Sequence, residues 1–320
     1  MISIVIPVFN EQENIDILCE KLSKEAIDWG CPIEVIFVND GSTDATRDRI
    51  IAQQQSGFPA TIIQFSRNFG HQAAISAGIQ HANGEAVVVM DGDLQDPPQT
   101  VSQFIKHWEN GYQVVYGIRV NRKEGMLLRF SYSFFYRILS AVGNIPIPKD
   151  SGDFCLMDRK VAEVLVREMP EQIRFVRGLR AYAGFKQVGV KFDRAERANN
   201  TSKYSGYKLL ELAADGIFGF STLPLRLATF LGLFVAFGSF MTGVFFIFHR
   251  LIDFKVLGYS PADVPGLASI AVGLYFLFGI TLVILGIIGE YIGRIYFEVK
   301  KRPQFIIEEI INNNSNSIEK

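Results

Sequence analysis

Two stretches without a charged residue, 22 residues from Leu227 to Phe248 and 26 from Val264 to Gly289, limit what this chain can fold into more than any other feature. A helix rises about 1.5 Å per residue, so each stretch can cross the roughly 30 Å hydrocarbon core of a bilayer. In a soluble fold, two helices apolar on every face would need a further layer of protein around them. The reading is therefore a membrane segment over 225–289, with spans at about 227–248 and 265–289. Only Arg250 and Lys255 stand between the spans, whereas Lys208 and Arg226 precede the first and Arg294, Lys300, Lys301 and Arg302 follow the second. That bias predicts a hairpin with both ends cytoplasmic. Gly289 and Gly293 form a small-xxx-small pair that permits close helix packing, and with it a homo-oligomer.

The rest of the chain starts directly on Ile2-Ser3-Ile4-Val5-Ile6-Pro7, with no basic leader or cleavage signature, which places residues 1–203 in the cytosol. Three cysteines at unrelated spacings suit a reducing compartment and suggest neither a disulfide framework nor a zinc site. A net charge of −1 with both signs well mixed gives no field that would attract nucleic acid. Between soluble part and membrane lies 204–224, greasy yet interrupted by Lys208, Glu211 and Asp215 and ending at Pro224. It reads as amphipathic helices lying in the membrane interface, the alternative being an ordinary domain helix. Residues 290–320 are taken as a cytosolic C-terminal tail.

Within residues 1–203, aliphatic runs of strand length occur at Ile2–Pro7, Ile33–Val38, Thr61–Phe65, Ala86–Met90 and, shorter, Val114–Tyr116. Amphipathic stretches at Asn14–Lys24, Thr43–Gln54, Gln72–His81 and Pro98–Glu109 alternate with them, as in an α/β domain with a mostly parallel sheet covered on both faces. Polar turns follow three of the strands: Pro7-Val8-Phe9-Asn10-Glu11, Asn39-Asp40-Gly41-Ser42 and Asp91-Gly92-Asp93. Ligands of open parallel sheets bind beyond the carboxyl ends of the strands, so these turns predict one pocket. Neither a Gly-x-Gly-x-x-Gly fingerprint nor a Walker loop is present. Asp91 and Asp93, two apart on one turn, can converge on a hard divalent cation whose other positions go to water and phosphate oxygens.

Four motifs in order, Val5-Ile-Pro-Val-Phe-Asn-Glu11, Val38-Asn-Asp-Gly-Ser-Thr-Asp44, Ser66-Arg-Asn-Phe-Gly-His-Gln72 and Met90-Asp-Gly-Asp-Leu-Gln-Asp-Pro-Pro98, resemble the inverting family-two glycosyltransferases. Within them the chain is similar to the polyprenyl-phosphate glycosyltransferases, relatives of dolichol-phosphate mannose synthase, and above all to the bactoprenol (undecaprenyl) phosphate glucosyltransferases with two C-terminal spans. The resemblance implies the GT-A fold, a single Rossmann-like nucleotide-sugar domain. It also implies transfer of a hexose, glucose from UDP-glucose, to undecaprenyl or another polyprenyl phosphate at the cytoplasmic face of the inner (plasma) membrane.

Residue by residue, the resemblance implies that Pro7, Phe9 and Glu11 line the nucleotide and Asp40 bonds the base. Asp91 sits by ribose and metal, and Asp93 and Gln95 complete the Mg2+ or Mn2+ ligands. Ser151-Gly-Asp-Phe-Cys-Leu-Met-Asp-Arg159 resembles the segment with the catalytic carboxylate, matched by Asp153. A phosphate acceptor, with a second pKa of about 6, is already largely a dianion, so Asp153 is expected to orient more than to deprotonate. Arg119, Arg129 and Ser133 match a lipid-phosphate set, with Arg122, Lys123 and Arg137 as nearby competitors. Arg197 and Lys203, in Arg197-Ala-Asn-Asn-Thr-Ser-Lys-Tyr204, match a loop that closes over the diphosphate, although Asn200 stands where the family has Gly. His71 is open between a donor contact and a structural hydrogen bond. Two rivals remain. A processive polysaccharide synthase would want a Gln-x-x-Arg-Trp motif, which Gln172-Ile-Arg-Phe175 does not supply. A non-catalytic membrane scaffold would be expected to lose acidic residues that are all present.

Overall fold

A computed structural model describes residues 1–120, 151–171, 174–193, 223–252 and 266–312. Arg129, Ser133, Arg197, Asn200, Lys203 and the interfacial stretch 204–222 lie outside the described residues. The chain divides into two compact units, one of Met1–Gly216 with Lys301–Lys320 and one of Ile217–Lys300.

The first unit is built on one eight-stranded sheet: β1 (Ile2–Val8), β2 (Ile33–Asn39), β3 (Ala60–Phe65), β4 (Ala86–Val89), β5 (Val114–Arg119), β6 (Ser151–Asp158), β7 (Gln187–Phe192) and β8 (Ile307–Ile311). Their spatial order is β7-β5-β6-β4-β1-β2-β3-β8. The core β4-β1-β2-β3 is parallel, as the strand–helix alternation predicts. β6 lies antiparallel between β4 and β5, and β7 runs parallel to β5. The sheet is therefore mixed α/β.

β1 is buried along its whole length because it has strands on both sides and helices on both faces. Ile2, Ile4, Ile6 and Val8 point to one face and join the core with α1 (Ile15–Trp29), α2 (Thr46–Gln55) and α4 (Gln99–Glu109). α3 (His71–His81) packs against β1 and β2, together with the short α5 (Arg159–Glu163) and its π-helical continuation Val164–Glu168. The α3 contact is close because of Gly78. A Cβ there would stand 2.1 Å from Val5 Cγ1 and 3.2 Å from Val38 Cγ2. Gly78→Ala is expected to destabilise the protein by about 2–3 kcal/mol through overpacking. Thermal melting of Gly78→Ala alone and in a Val5→Ala background checks this, since the cost should shrink once the Val5 methyls are gone.

The reading of 290–320 as a tail is corrected by the structure. The last helix does not stop at Gly289 but runs to Lys300, with Glu290 and Arg294 paired one turn apart at 3.0 Å. Pro303 lies just beyond it, and β8 then joins the eight-stranded sheet, antiparallel to β3. Phe305 stacks on Phe65 with centroids 5.1 Å apart, Arg47 Nε donates to Glu309 Oε1 at 3.0 Å, and Gln54 Nε2 donates to the Ile311 carbonyl at 3.2 Å.

Among the described residues, the second unit holds α7 (Leu223–Ile252) and α8 (Gly266–Lys300), which pack on one another. Both are long and apolar enough to cross a membrane, over Pro224–Met241 and Phe276–Lys300. Of those windows, 6% and 0% is buried among the described residues. Rows such as Phe230, Phe234 and Phe237, and Phe276, Phe278 and Leu282, are exposed, far more apolar surface than a water-soluble monomer tolerates. The chain is thus suited to membrane association.

Candidate active site

The polar turns predicted to form a pocket are stitched together largely by side-chain-to-backbone bonds. Asn10 Oδ1 accepts from the Thr43 amide at 2.9 Å, the Asn10 amide donates to Ser42 Oγ at 3.0 Å, and the Glu11 amide donates to Thr46 Oγ1 at 2.9 Å. The turns after β1 and β2 thus form one rim. Pro7 is buried at the end of β1, Phe9 is exposed on the rim, and Glu11 Oε2 accepts from Asn14 Nδ2 at 2.6 Å.

Asp40 is buried, and its carboxylate accepts from the backbone N–H of Phe69 at 2.7 Å and of Gly70 at 3.0 Å. Burial pushes its carboxyl above the usual carboxylate range, with those two amides opposing. Asp40 therefore anchors the Ser66–Gly70 loop, a role that the sequence did not reveal. Gly41 makes the anchoring possible. Its φ is +68°, and a Cβ would fall 2.6 Å from the backbone of Arg67 and Asn68.

After β4 the backbone turns sharply, with Leu94 at φ +62°. The Asp91 amide donates to Asp96 Oδ2 and the Gln95 amide to Asp93 Oδ1, each at 3.1 Å. Asp91 and Asp93 are partly exposed, and Gln95 is buried. Among the described residues no group of three or more His, Cys, Asp or Glu side chains could hold a metal ion. Two carboxylates and a Gln carbonyl on one turn nonetheless fit a hard divalent cation, which takes its remaining oxygens from water and substrate phosphates rather than from a closed protein cage.

The structure brings this turn to the segment carrying Asp153. His71, the first residue of α3, places Nε2 3.5 Å from Asp91 Oδ1 and 3.6 Å from Asp153 Oδ2. Desolvation in the cleft works against its charge. The hydrogen bond to Asp153 and the charges of Asp91 and Asp153 outweigh it and push the imidazole up to about 9. Asp153 is not on a helix cap or a loop but on β6, and it is buried. Arg177, on α6 (Val176–Tyr182), grips it with both ends of its fork, Nε to Oδ1 and Nη2 to Oδ2, each 2.8 Å. Burial opposes the charge of Asp153, but the Arg177 guanidinium overrides it and holds the carboxyl well below the usual range. Gln72 Nε2 adds a donor at 3.3 Å.

Arg119 ends β5, with Nη2 3.3 Å from where a Cβ on Gly152 would be. It thus borders the start of β6, beside Asp153. Of the residues expected at the site, the structure gathers Asp91 and Asp153 around His71 and sets Arg119 at its edge. It adds Arg177 and Gln72, which sequence reasoning missed. One signal was available in the sequence: Arg174, Arg177 and Arg180 recur every third residue, and the last two fall on one face of α6.

Known proteins resemble this chain over nearly all of its length. The chain is 41% identical to a protein of Synechocystis sp. described as an uncharacterized glycosyltransferase, over 97% of this chain and 95% of that one. It is 40% identical to the SfII prophage-derived bactoprenol glucosyl transferase of Shigella flexneri, over 96% of this chain and 97% of that one. Among solved structures, glucosyl-3-phosphoglycerate synthase from Mycobacterium tuberculosis, in complex with Mn2+, UDP-glucose and phosphoglyceric acid, is 20% identical with a TM-score of 0.45, covering 68% of this chain and 77% of that one. Residues 3–166 match the family described as glycosyl transferase family 2. With that match over half its length and such relatives over nearly all of it, the chain is a glycosyltransferase and belongs to glycosyl transferase family 2.

Proposed function

We propose that this enzyme transfers glucose from UDP-glucose to a polyprenyl phosphate at the cytoplasmic face of the membrane, in one displacement that inverts the anomeric carbon. The observation that carries the reading is the convergence of Asp91 and Asp153 on His71, at strand ends of a sheet whose chain also forms two exposed apolar helices. The name of the Shigella flexneri relative, a bactoprenol glucosyl transferase, supports donor sugar and acceptor class.

Asp91 and Asp93, with Gln95, would hold Mg2+ or Mn2+. When bound, such a cation neutralises the charge growing on a departing nucleotide diphosphate. The chain's own residues do the rest. Pro7, Phe9 and Glu11 line the nucleotide, and Asp40 meets the base while keeping its loop in place. Arg197 and Lys203 hold the diphosphate, and Arg119, Arg129 and Ser133 grip the acceptor phosphate. Asp153 orients the acceptor for in-line attack, and this positioning with charge neutralisation supplies most of the rate.

The Lys and Arg bias supports a hairpin with both outer ends cytoplasmic. The stretch 204–224 would then lie in the interface, where a lipid headgroup is presented.

Purified protein given labelled UDP-glucose, Mn2+ and undecaprenyl phosphate should yield sugar in an organic-extractable, mild-acid-labile product. Label in insoluble polymer would favour a processive synthase, and no turnover with any nucleotide sugar a scaffold. Arg129→Ala should raise the KM for the lipid about tenfold or more with donor affinity little changed, the loss of a charged phosphate contact. Steady-state kinetics in both substrates checks this, and equal damage to donor affinity would give Arg129 another role.

A further inference from the structure

Asp153 is more heavily bonded than a catalytic base should be. A carboxylate offers about four lone-pair sites. Here Oδ1 takes Arg177 Nε and Oδ2 takes Arg177 Nη2, each at 2.8 Å. Oδ2 also takes Gln72 Nε2 at 3.3 Å and lies 3.6 Å from His71 Nε2. The two-pronged contact fixes the plane of the carboxylate as well as its place. Gln72 is itself held, since its Oε1 accepts the Val176 amide at 2.9 Å. One side chain thus ties the first turn of α3 to the first turn of α6, with the β6 carboxylate beside it.

A second cation stands on the next turn of α6. Arg180 is 1% exposed, directs Nη2 toward the Gly152 carbonyl at 3.5 Å and lies over the Tyr116 ring at 5.6 Å. Among the described residues, its Nε and Nη1 are buried without a hydrogen-bond acceptor.

We propose that Arg177 and Gln72 are positioning residues that hold Asp153 as a fixed, ionised carboxylate, so that it orients the acceptor without taking its proton and the enzyme glycosylates only nucleophiles that arrive already ionised. The inference rests on the phosphate-acceptor reading above. Taking a proton at either oxygen would cost Asp153 its charge while the Arg177 fork still faces both oxygens. An alcohol attacking the anomeric carbon must lose its proton to a base as the new C–O bond forms. A phosphate monoester, with its second pKa of about 6, attacks as the dianion, and the donor's C–O bond to the diphosphate breaks with no proton to place. The acceptor class selected is thus a lipid phosphate, not the corresponding lipid alcohol.

The test uses the full-length enzyme with UDP-glucose and either undecaprenyl phosphate or undecaprenol, comparing wild type with Arg177→Met and Arg177→Lys. Arg177→Met should lower kcat on the phosphate about 100-fold, the scale of losing one preorganised electrostatic partner, with the KM for UDP-glucose within about threefold of wild type. Arg177→Lys, which keeps the charge but loses the fork, should recover about tenfold of that loss. The pH profile supplies a readout that a structural role would not move. Wild-type kcat should fall only as the acceptor phosphate protonates, near pH 6. In Arg177→Met, Asp153 stays buried but loses the cation that lowers its pKa, so the acid limb should move to higher pH. Undecaprenol should give no product. An unimpaired Arg177→Met, an unmoved acid limb, or a donor KM rising in step with the loss of kcat overturns the positioning role. Transfer to undecaprenol at a rate near that of the phosphate overturns the substrate selection. Wild type inactive on undecaprenyl phosphate but active on another acceptor refutes the acceptor reading itself, whereas wild-type turnover with an intact Arg177→Met refutes the positioning alone.

Discussion

Replacing Asp93 by Ala is expected to reduce sugar transfer by about a thousandfold or more while the protein remains in the membrane. Asp93 stands on the turn after β4, partly exposed, and its Oδ1 accepts the Gln95 amide at 3.1 Å. Losing that bond costs about 1 kcal/mol. On the proposed reading the loss of turnover has another cause: with one of the two carboxylates that would hold the cation removed, the departing diphosphate would lack its counter-charge. Asp93→Asn is the sharper variant, because it keeps shape and the amide contact and removes only the charge; it should be almost as inactive. Turnover assays with membrane fractionation check both. A variant retaining more than about a tenth of wild-type activity would remove Asp93 from the metal site.

Truncation before Pro303 should lower the first thermal transition of the detergent-solubilised protein by about 5–10 °C and reduce turnover with it. β8 pairs with β3 from Ile62 to Phe65, leaves Ile307, Ile310 and Ile311 half-buried, and carries the Arg47–Glu309 contact. Partial burial of three isoleucines and an aromatic stack amounts to roughly 2–4 kcal/mol. Each kcal/mol moves the melting point of a unit this size by about 2–4 °C. The activity loss has a separate route. Phe305 stacks on Phe65, Phe65 meets Phe69 edge-on at 5.7 Å, and Phe69 donates its amide to Asp40 at 2.7 Å. Removing β8 therefore loosens the loop that leads into His71. Phe305→Ala should reproduce part of the activity loss with a smaller change in melting. A truncated protein that melts and turns over like the full chain would make β8 a passive appendage.

The parallel half of the sheet was legible because each of its strands is a solid aliphatic run, and buried parallel strands are apolar on both faces. β6, β7 and β8 carry no such signature. β6 opens on Ser151-Gly-Asp, β7 interleaves Gln, Gly and Lys with its valines, and β8 is Ile-Glu-Glu-Ile-Ile after a membrane helix. Each becomes a strand because a neighbour's edge is waiting for it, which is a tertiary fact. Likewise α8 outlasts its apolar run because nothing before Pro303 breaks the helix, whereas a hydropathy reading stops at the first charge. The site divides in the same way. Asp91, Asp93 and Asp153 stand in motifs and could be read one by one. The tie between Asp91 and Asp153 through His71, and the ties of Asp153 to Arg177 and Gln72, join α3, the turn after β4, β6 and α6, segments brought together only by folding.

The most direct measurement of the central claim is the NMR spectrum of lipid product made from UDP-α-D-glucose labelled with carbon-13 at C1. Transfer to a phosphate by single displacement predicts a β-configured anomeric carbon whose signal is split by the phosphorus to which it is linked. An α-configured anomer, or an anomeric carbon with no phosphorus coupling, would contradict the mechanism.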